Sequence, residues 1–191
     1  VFLGIPMYLL IPGRHHLLTK FQFDYLHELV TGTGDQRDLN GQSFSAPEPI
    51  EAIIFAVTSA NHSNTRRNPL AFYLRALAIE EFGDDLPVPV YVYGIDDVGS
   101  LPNFASYTLK RIKHDSEGLF DLIPQNTAVV CSTPVLNMYE QLGFRILPAE
   151  LMDPKAWSYH ETLPWEVVEQ IVASGNWEAD PQVAARMHPA S

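Results

Sequence analysis

The fold of this chain is decided by residues 52–69, which read AIIFAVTSANHSNTRRNP. Six apolar residues end at Val57, and a dense group of small polar, imidazole and guanidinium side chains comes directly after them. An apolar run of this length bounded by polar residues is typical of a strand buried on both faces, as in a parallel sheet. The segment therefore predicts a buried strand whose carboxyl end opens into a polar loop ahead of a helix.

Working outward from this segment, further apolar and β-rich runs indicate the other strands of one sheet. These runs are 7–11, 88–93, 128–131 and 144–147. Between these runs, apolar residues recur at helical spacing. This pattern predicts helices that begin after residue 19, after residue 69 and at residue 180, and helices over residues 104–112, 132–143 and 162–175. Strands alternating with helices predict an α/β fold, a three-layer sandwich with a Rossmann-like parallel sheet of about five strands and helices on both faces.

The helix boundaries carry recognisable residue types. Thr19 stands just before the first helical pattern, while Asn68 and Pro69 predict the N-cap and first-turn proline of the second. The second pattern contains an apolar stripe made of Leu70, Tyr73, Leu74, Leu77 and Phe82. Residues 31–49 and 148–161 are predicted loops, and the first is either a mobile flap over a site or a surface excursion.

Composition sets the class of protein. The chain has 191 residues, of which 46% are hydrophobic and 18% are charged, as in an ordinary globular protein. We expect a single domain over 1–191, with 150–191 forming a helical C-terminal segment that packs on it. The formal net charge of −11 argues against duplex nucleic acid or an anionic membrane as the main partner, because both need a broad basic surface.

The cysteine content and the apolar residues at the start of the sequence indicate where in the cell we expect the protein. Cys131 is the single cysteine, which excludes an internal disulfide framework and a multi-cysteine zinc site and favours a buried core thiol in the reducing cytoplasm. Residues 1–10 are apolar but too few to span a bilayer, and Pro6 interrupts them. We therefore expect a cytoplasmic protein that is not held in a membrane.

The first strand ends in a polar junction, residues 11–19, IPGRHHLLT. Gly13 allows a tight turn, Arg14 supplies a fixed cation, and His16 lies three residues before Thr19. In an open parallel sheet, ligands bind beyond the carboxyl ends of the strands, where a helix start also favours an anion. Alternatively, Thr19 is an ordinary N-cap and the two histidines are solvated loop residues.

The second junction, 58–69, is denser in polar groups. Ser59, His62 and Ser63 precede two arginines, Arg66 and Arg67, directly after a buried strand. These side chains would meet the same anion as the first junction, since parallel strands end at one edge of the sheet. The alternative is a polar turn that only caps the following helix.

Carboxylates and known motifs give weaker signals. Asp96 and Asp97 follow the third strand. They would bind magnesium through water, or hold a ribose or the edge of a base, or they simply form a turn. His114 and His160, each beside an acidic residue, show no zinc-ligand spacing. The chain has no Gly-x-x-x-x-Gly-Lys, Gly-x-Gly-x-x-Gly or Gly-x-Ser-x-Gly motif, which argues against P-loop, dinucleotide-dehydrogenase and α/β-hydrolase chemistry.

With these residues in view, the chain resembles the nucleotidyltransferase superfamily with a His-x-Gly-His signature, most closely the archaeal-type nicotinamide-nucleotide adenylyltransferases. Gly13-Arg14 followed by His16-Leu-Leu-Thr19 is similar to a shortened Gly-Arg-Phe-x-Pro-x-His-x-Gly-His motif. Residues 58–63, TSANHS, with Asn68-Pro69 and the arginine of the next helix, resemble the family's Gly-Ser-Ala-x-His-Ser stretch with its Asn-Pro and arginine-bearing helix. The resemblance extends through 130–144 to a late motif near Thr162 and to Gly175-Asn-Trp177.

The resemblance implies transfer of an adenylyl group from ATP to a small phosphorylated acceptor, with nicotinamide or nicotinate mononucleotide favoured, and hence a role in NAD biosynthesis. Pyrophosphate would be released, and Mg²⁺ would bridge the phosphates. The implied catalytic residues are His16, Thr19 and Arg14. The implied nucleotide- and phosphate-binding residues are Gly13, Ser59, His62, Ser63, Arg66, Arg67, Arg75 and Thr162. The implied substrate-binding residues are Asp96, Asp97 and Trp157.

Two positions depart from the family pattern and keep other functions open. Thr19 stands where the family has its second histidine, and Trp165 stands where it has a late arginine. Cytidylyl and pantetheine-phosphate adenylyl transfer are alternatives within the same fold. A nucleotide-binding sensor without turnover, or a structural domain that binds no nucleotide, are alternatives of other classes. The expected partners are small nucleotides, and the resemblance also implies assembly into a homo-oligomer.

Overall fold

Each of the five apolar runs forms a strand in the computed structural model, which describes residues 5–175 and 180–191. The strands are β1 Met7–Gly13, β2 Ile50–Thr58, β3 Val90–Ile95, β4 Thr127–Val130 and β5 Arg145–Leu147. They form one parallel sheet in the order β3-β2-β1-β4-β5, which confirms the predicted α/β class. The predicted three layers with helices on both faces are confirmed as well.

The helices follow the predicted alternation. They are α1 Lys20–Thr31, α2 Phe72–Gly83, α3 Phe104–Asp115, α4 Leu136–Gln141, α5 Pro164–Ser174 and α6 Pro181–Arg186. A short antiparallel hairpin, β6 Leu151–Asp153 and β7 Ser158–Tyr159, lies inside a predicted loop. Within residues 5–175 and 180–191, no helix has the length and apolar content needed to cross a membrane.

The central strand shows why the sheet is covered on both faces. Side chains alternate along β1, so that Leu9 and Ile11 join a core with α1 and α2, while Tyr8 and Leu10 join a second core with α3 and α4. Leu9 is fully buried and pairs with Ile53 of β2 on one side and Ala128 of β4 on the other. A strand buried on both faces explains the continuous apolar runs of the sequence.

The order of the strands creates a switch point beside β1. From β1 the chain passes to β2 and β3 on one side, and it then returns to place β4 and β5 on the other side. The helices that follow β1 and β4 therefore leave toward opposite faces of the sheet. Open parallel sheets form their ligand crevice at this place.

The start of α2 differs from the prediction. Asn68 and Pro69 are not its N-cap and first turn, because Thr65 and Asn68 close a turn through two backbone hydrogen bonds of 3.1 and 3.2 Å. The helix begins three residues later at Phe72, and Ala71 at the N-cap position offers no side-chain bond in the described structure. The predicted apolar stripe is also wrong, since much of it faces solvent while Arg75 is fully buried.

The C-terminal segment combines the hairpin with α5 and α6. Leu17, Val167 and Val183 form a small apolar cluster that fixes both helices against the first junction. The last residues then return to α1, where His188 N–H donates to the Leu18 carbonyl and the Ser191 hydroxyl bonds both backbone groups of Leu18. The family match expected around Trp177 lies outside the described residues.

Candidate functional site

A cleft of about 1220 Å³ opens at the carboxyl ends of the strands, beside the switch point. It is lined by the first junction, the second junction, the loop after β4 and the first turns of α5. The sequence-predicted residues in its lining are Gly13, Arg14, His16, Ser59, Arg66, Arg67 and Asp97. The two junctions thus meet at one site, as their places after neighbouring strands predict.

The first junction is held in a tight turn by His15. Its φ of 51° is uncommon for a residue with a side chain, and the turn folds the ring back toward β1. There Nε2–H donates to the Ile11 carbonyl at 3.2 Å, and the ring packs edge-on against Phe55. A β-carbon on Gly13 would lie 2.9 Å from the His15 ring, so a larger residue there would force the ring to shift. Burial, opposed in part by the bond to Ile11, lowers the pKa of His15 to about 4.

His16 faces the cleft as a neutral imidazole. Its Nε2 lies 3.2 Å from the side-chain oxygen of Asn68, which links the first junction to the second. Burial lowers the pKa of His16 to about 4, and the nearby charges of Arg75 and Arg14 act in the same direction. The buried Nδ1 has no hydrogen-bond partner within the described part of the chain.

Thr19 lies behind the wall of the cleft and caps α1. Its side-chain oxygen accepts from the backbone N–H of Gln22 at 3.1 Å, and the Gln22 side chain accepts from the N–H of Thr19 at 3.2 Å. Thr19 is buried and lies outside the described lining of the cleft. The alternative interpretation of Thr19 as an N-cap therefore describes its contacts.

Arg75 joins the two junctions from below. Its Nη1 donates to the carbonyls of Arg14 at 2.9 Å and Thr58 at 3.0 Å, and its Nη2 donates to the carbonyl of Ser59 at 2.9 Å. The residue has no exposed surface, and burial lowers its pKa. Arg75 was predicted to contact phosphate, but its bonds to three carbonyls make it a clamp beneath the site.

The second junction brings cations to the cleft mouth. Arg67 and Arg66 are exposed and line the cleft, and the Arg14 guanidinium donates to the Arg67 carbonyl at 2.9 Å. Arg66 lies 3.5 Å from the carboxylate of Glu169 on α5, a pair too exposed to fix either side chain strongly. Three guanidinium groups therefore surround the ends of β1 and β2.

The remaining predicted site residues lie outside the described lining. His62 is exposed and Ser63 is half-buried on the outer part of the second junction, while Asp96 precedes the lining residue Asp97. Thr162 is half-buried just before α5. Trp157 packs on the core between the sheet and α3 and α4, as expected for a ring that buries the C-terminal segment.

A polar cluster on the far side of the cleft was missed by sequence reasoning. Glu150 is only 6% exposed, and its carboxylate accepts from the Ser132 hydroxyl and from the Gln22 amide at 3.1 Å. Glu150 N–H also donates to the Ser132 oxygen at 2.9 Å. The sequence signal that could have found these residues is their position in the chain. Ser132 follows β4 and Glu150 follows β5, so both lie at the same edge of the sheet as the two junctions.

The cleft can bind a polyanion on one side and hydrogen-bond donors on the other. Arginines line the side formed by β1 and β2, whereas Glu150 and Ser132 line the side formed by β4 and β5. Trp165, 47% exposed, adds an aromatic surface from α5. In residues 5–175 and 180–191, no three His, Cys, Asp or Glu side chains are grouped to hold a metal ion.

Compared with known proteins, the chain matches no family model and no curated protein.

Proposed function

We propose that this protein is a nucleotidyltransferase that transfers an adenylyl group from ATP to a small phosphorylated acceptor, with nicotinamide or nicotinate mononucleotide as the favoured acceptor. The observation that carries the proposal is the meeting of Arg14, Arg66, Arg67 and the neutral His16 at the switch point of a parallel sheet. This is the group of side chains that a chain of phosphates needs, at the place where such folds bind nucleotides. Such an enzyme would act on free nucleotides in the cytoplasm.

The size of the cleft favours two ligands. Its 1220 Å³ exceeds the roughly 300–1,000 Å³ that is usual for a single small molecule. A triphosphate nucleotide on the arginine side would leave room for an acceptor toward Glu150 and Ser132. The opposite chemical character of the two sides supports one anionic and one donor-rich occupant.

The reaction needs positioning and charge more than covalent help from the protein. An acceptor phosphate oxygen forms a bond to the α-phosphorus of ATP, and the bond from that phosphorus to the bridging oxygen breaks, so that pyrophosphate leaves with the electron pair. Arg14, Arg66 and Arg67 would stabilise the charge that grows on the phosphate oxygens. A bound phosphate would oppose the charges of Arg75 and Arg14, which add to burial in lowering the pKa of His16, and so would favour the protonated ring.

Magnesium does not have a protein site of its own among the described residues. They form no carboxylate cage, and Glu150 is already engaged by Ser132 and Gln22. Magnesium would enter with the phosphates of ATP and keep much of its water, as it commonly does.

The direct test is pyrophosphate release from each nucleoside triphosphate with magnesium and each candidate acceptor. We expect release with ATP, and a drop of about 100-fold or more in kcat/KM for Arg67→Ala and His16→Gln. His114→Gln is the matched control, because His114 is an exposed histidine at the end of α3, outside the described cleft lining. Release with CTP alone would support cytidylyl transfer, and release from no pair would refute the enzyme.

A nucleotide sensor without turnover is the second candidate. It is favoured by the hydroxyl of Thr19, which is engaged in a helix cap, and by Trp165 on the cleft wall in place of a cation. Titration calorimetry separates the two functions. ATP binding that is weakened by Arg67→Ala, without pyrophosphate release, would identify the sensor, and absence of binding would leave a structural domain.

A further inference from the structure

Glu150 is a buried carboxylate on the wall of the cleft, and it has no cationic partner. It lines the side of the cleft formed by β4 and β5. In the part of the chain that the structure describes, no lysine, arginine or histidine forms an ion pair with it. Burying a carboxylate without a cation costs free energy, so the charge is kept at this wall at some expense in stability.

Two neutral donors hold the Glu150 carboxylate, and a backbone group orients each of them. The Ser132 oxygen accepts from the N–H of Glu150 at 2.9 Å, which leaves the hydroxyl proton to point at Oε2 of the carboxylate. The side-chain oxygen of Gln22 accepts from the N–H of Thr19 at 3.2 Å, so its Nε2 faces Oε1 of Glu150, at 3.1 Å. Both oxygens of Glu150 are therefore acceptors, which is the pattern of an ionised carboxylate.

This carboxylate can accept further hydrogen bonds from a ligand. Its two oxygens offer about four lone-pair sites, and each oxygen accepts only one side-chain donor from the described residues. Tyr25 lies on the same wall, and burial together with the charge of Glu150 raises its pKa, so the phenol stays neutral. The described lining residues from α1 and from the segments after β4 and β5 include no cation. This wall therefore presents one negative charge to a ligand.

We propose that Glu150 determines which acceptor the cleft takes, by accepting a hydrogen bond from an uncharged carboxamide and repelling a carboxylate at the same position. The cleft then selects nicotinamide mononucleotide over nicotinate mononucleotide, an inference that rests on the proposed function for the class of acceptor. The two ligands share their phosphate, their ribose and their positively charged pyridinium ring. They differ in one group, because the carboxamide donates from N–H whereas the carboxylate only accepts.

The distribution of charge in the cleft favours this direction of binding. The acceptor phosphate would be drawn to Arg14, Arg66 and Arg67, so its ring would extend toward the opposite wall. There the positive ring and the amide N–H would meet Glu150, which lacks a cation of its own. A carboxylate on the ring would instead face Glu150 away from bulk water, where like charges are poorly screened. Rejection of the wrong ligand in this way is a common source of specificity.

Titration calorimetry of the full chain with each mononucleotide measures the preference without requiring turnover. We expect nicotinamide mononucleotide to bind at least about 100-fold more tightly than nicotinate mononucleotide. Glu150→Gln should reduce this ratio to about tenfold or less, because a glutamine amide can donate to a carboxylate. Glu140→Gln is the matched control, because Glu140 is exposed on α4, outside the described cleft lining, and the variant loses the same charge. It should keep the full ratio.

Ser132→Ala provides a second variant if circular dichroism shows that Glu150→Gln does not fold. It removes the hydroxyl that orients Oε2 of Glu150 and should lower the ratio of dissociation constants by about tenfold. Equal affinities in the wild type, or no binding of either ligand, would overturn the proposal. Equal weakening of both ligands by Glu150→Gln would place its contact on the shared ribose or ring and overturn the carboxamide contact.

Pyrophosphate release separates this proposal from the proposed function. A preference in binding without release would support the role of Glu150 and refute adenylyl transfer to these acceptors. Release at equal kcat/KM with both mononucleotides would support the transfer and refute the role of Glu150.

Discussion

At the scale of single residues, Arg75 shows how one buried cation holds both sides of the cleft. Its Nη1 and Nη2 donate to three carbonyl oxygens, and no carboxylate pairs with the guanidinium within residues 5–175 and 180–191. The sequence indicates an arginine on the helix after the second junction, but it cannot indicate the burial. The acceptors belong to the backbone of Arg14, Thr58 and Ser59, which only the folded chain brings together.

Replacing Arg75 should loosen the cleft and lower stability. Arg75→Lys keeps the charge but cannot reach three carbonyls with one ammonium group, so the free energy of unfolding should fall by about 2–4 kcal/mol. ATP affinity should fall with it, because Arg14 and Ser59 lose their common support. Urea unfolding and calorimetry measure both effects. Arg111→Lys, at an exposed pair with Asp115 on α3, should change either quantity little, and equal losses in the two variants would contradict the clamp.

Acid should destabilise the protein through His15. Its folded pKa of about 4 lies below the usual value near 6.5, so the unfolded chain takes up the proton first, and stability is lost as pH falls from about 6.5 to 4. His15→Asn, which tolerates the positive φ, should be less stable at neutral pH but should lose about 2 kcal/mol less on acidification. Urea midpoints between pH 7 and 4 measure this. An unchanged pH dependence in the variant would assign the loss to other groups, such as His16.

Among the helices and strands, features set by neighbouring residues could be predicted from the sequence, whereas features set by contacts with distant residues could not. The strands were predicted because β1, β2 and β4 are buried and all five read as apolar runs, whereas the cap at Thr19 was only the alternative interpretation of that residue. The start of α2 was not predicted, because Asn68 contacts His16, fifty-two residues earlier, and does not cap the helix. The apolar stripe that contains Tyr73 and Leu77 was predicted to face the core and does not, for a related reason. When a helix has apolar residues on two sides, their spacing does not show which side faces the core.

The cap of α1 should have a measurable energetic role. Thr19→Ala removes one half of the capping box with Gln22, and the free energy of unfolding should fall by about 1 kcal/mol, with more if a gap remains at this buried position. Thr31→Ala, at the exposed other end of α1, is the control and should have little effect. Thermal unfolding of both variants gives the comparison. If Thr19→Ala abolished turnover while leaving stability intact, the hydroxyl would act on substrate and not on the helix.

At the scale of the whole molecule, the cleft is assembled from four regions far apart in the chain, and each could be predicted to a different degree. The two junctions were placed together by the rule that parallel strands end at one edge. The Glu150 and Ser132 side was not, because their contact depends on how the chain turns after β5, which no short motif encodes. Trp165 lines the cleft because α5 is fixed by the apolar cluster around Val167, a packing effect that the spacing of residues does not specify.

The C-terminal residues should stabilise the first junction from outside. The ring of His188 stacks on Phe23 at 5.1 Å and contacts Phe82 edge-on at 4.8 Å, and Ser191 bonds the backbone of Leu18. Removal of residues 188–191 should therefore lower the free energy of unfolding by about 2–3 kcal/mol. Urea unfolding measures this, with the single change Ser191→Ala expected to lose about 1 kcal/mol. Full stability after truncation would show that this segment does not hold the junction.

The position of β1 between β2 and β4 also governs what happens while the chain is being made. As the polypeptide leaves the ribosome, β1, β2 and β3 emerge first and can pair at once, but the second edge of β1 stays open until β4 emerges after residue 127. An open apolar strand edge readily pairs with another chain. Translation products that stop within or before α3 are therefore expected to aggregate, whereas chains that have released β4 can cover this edge of β1.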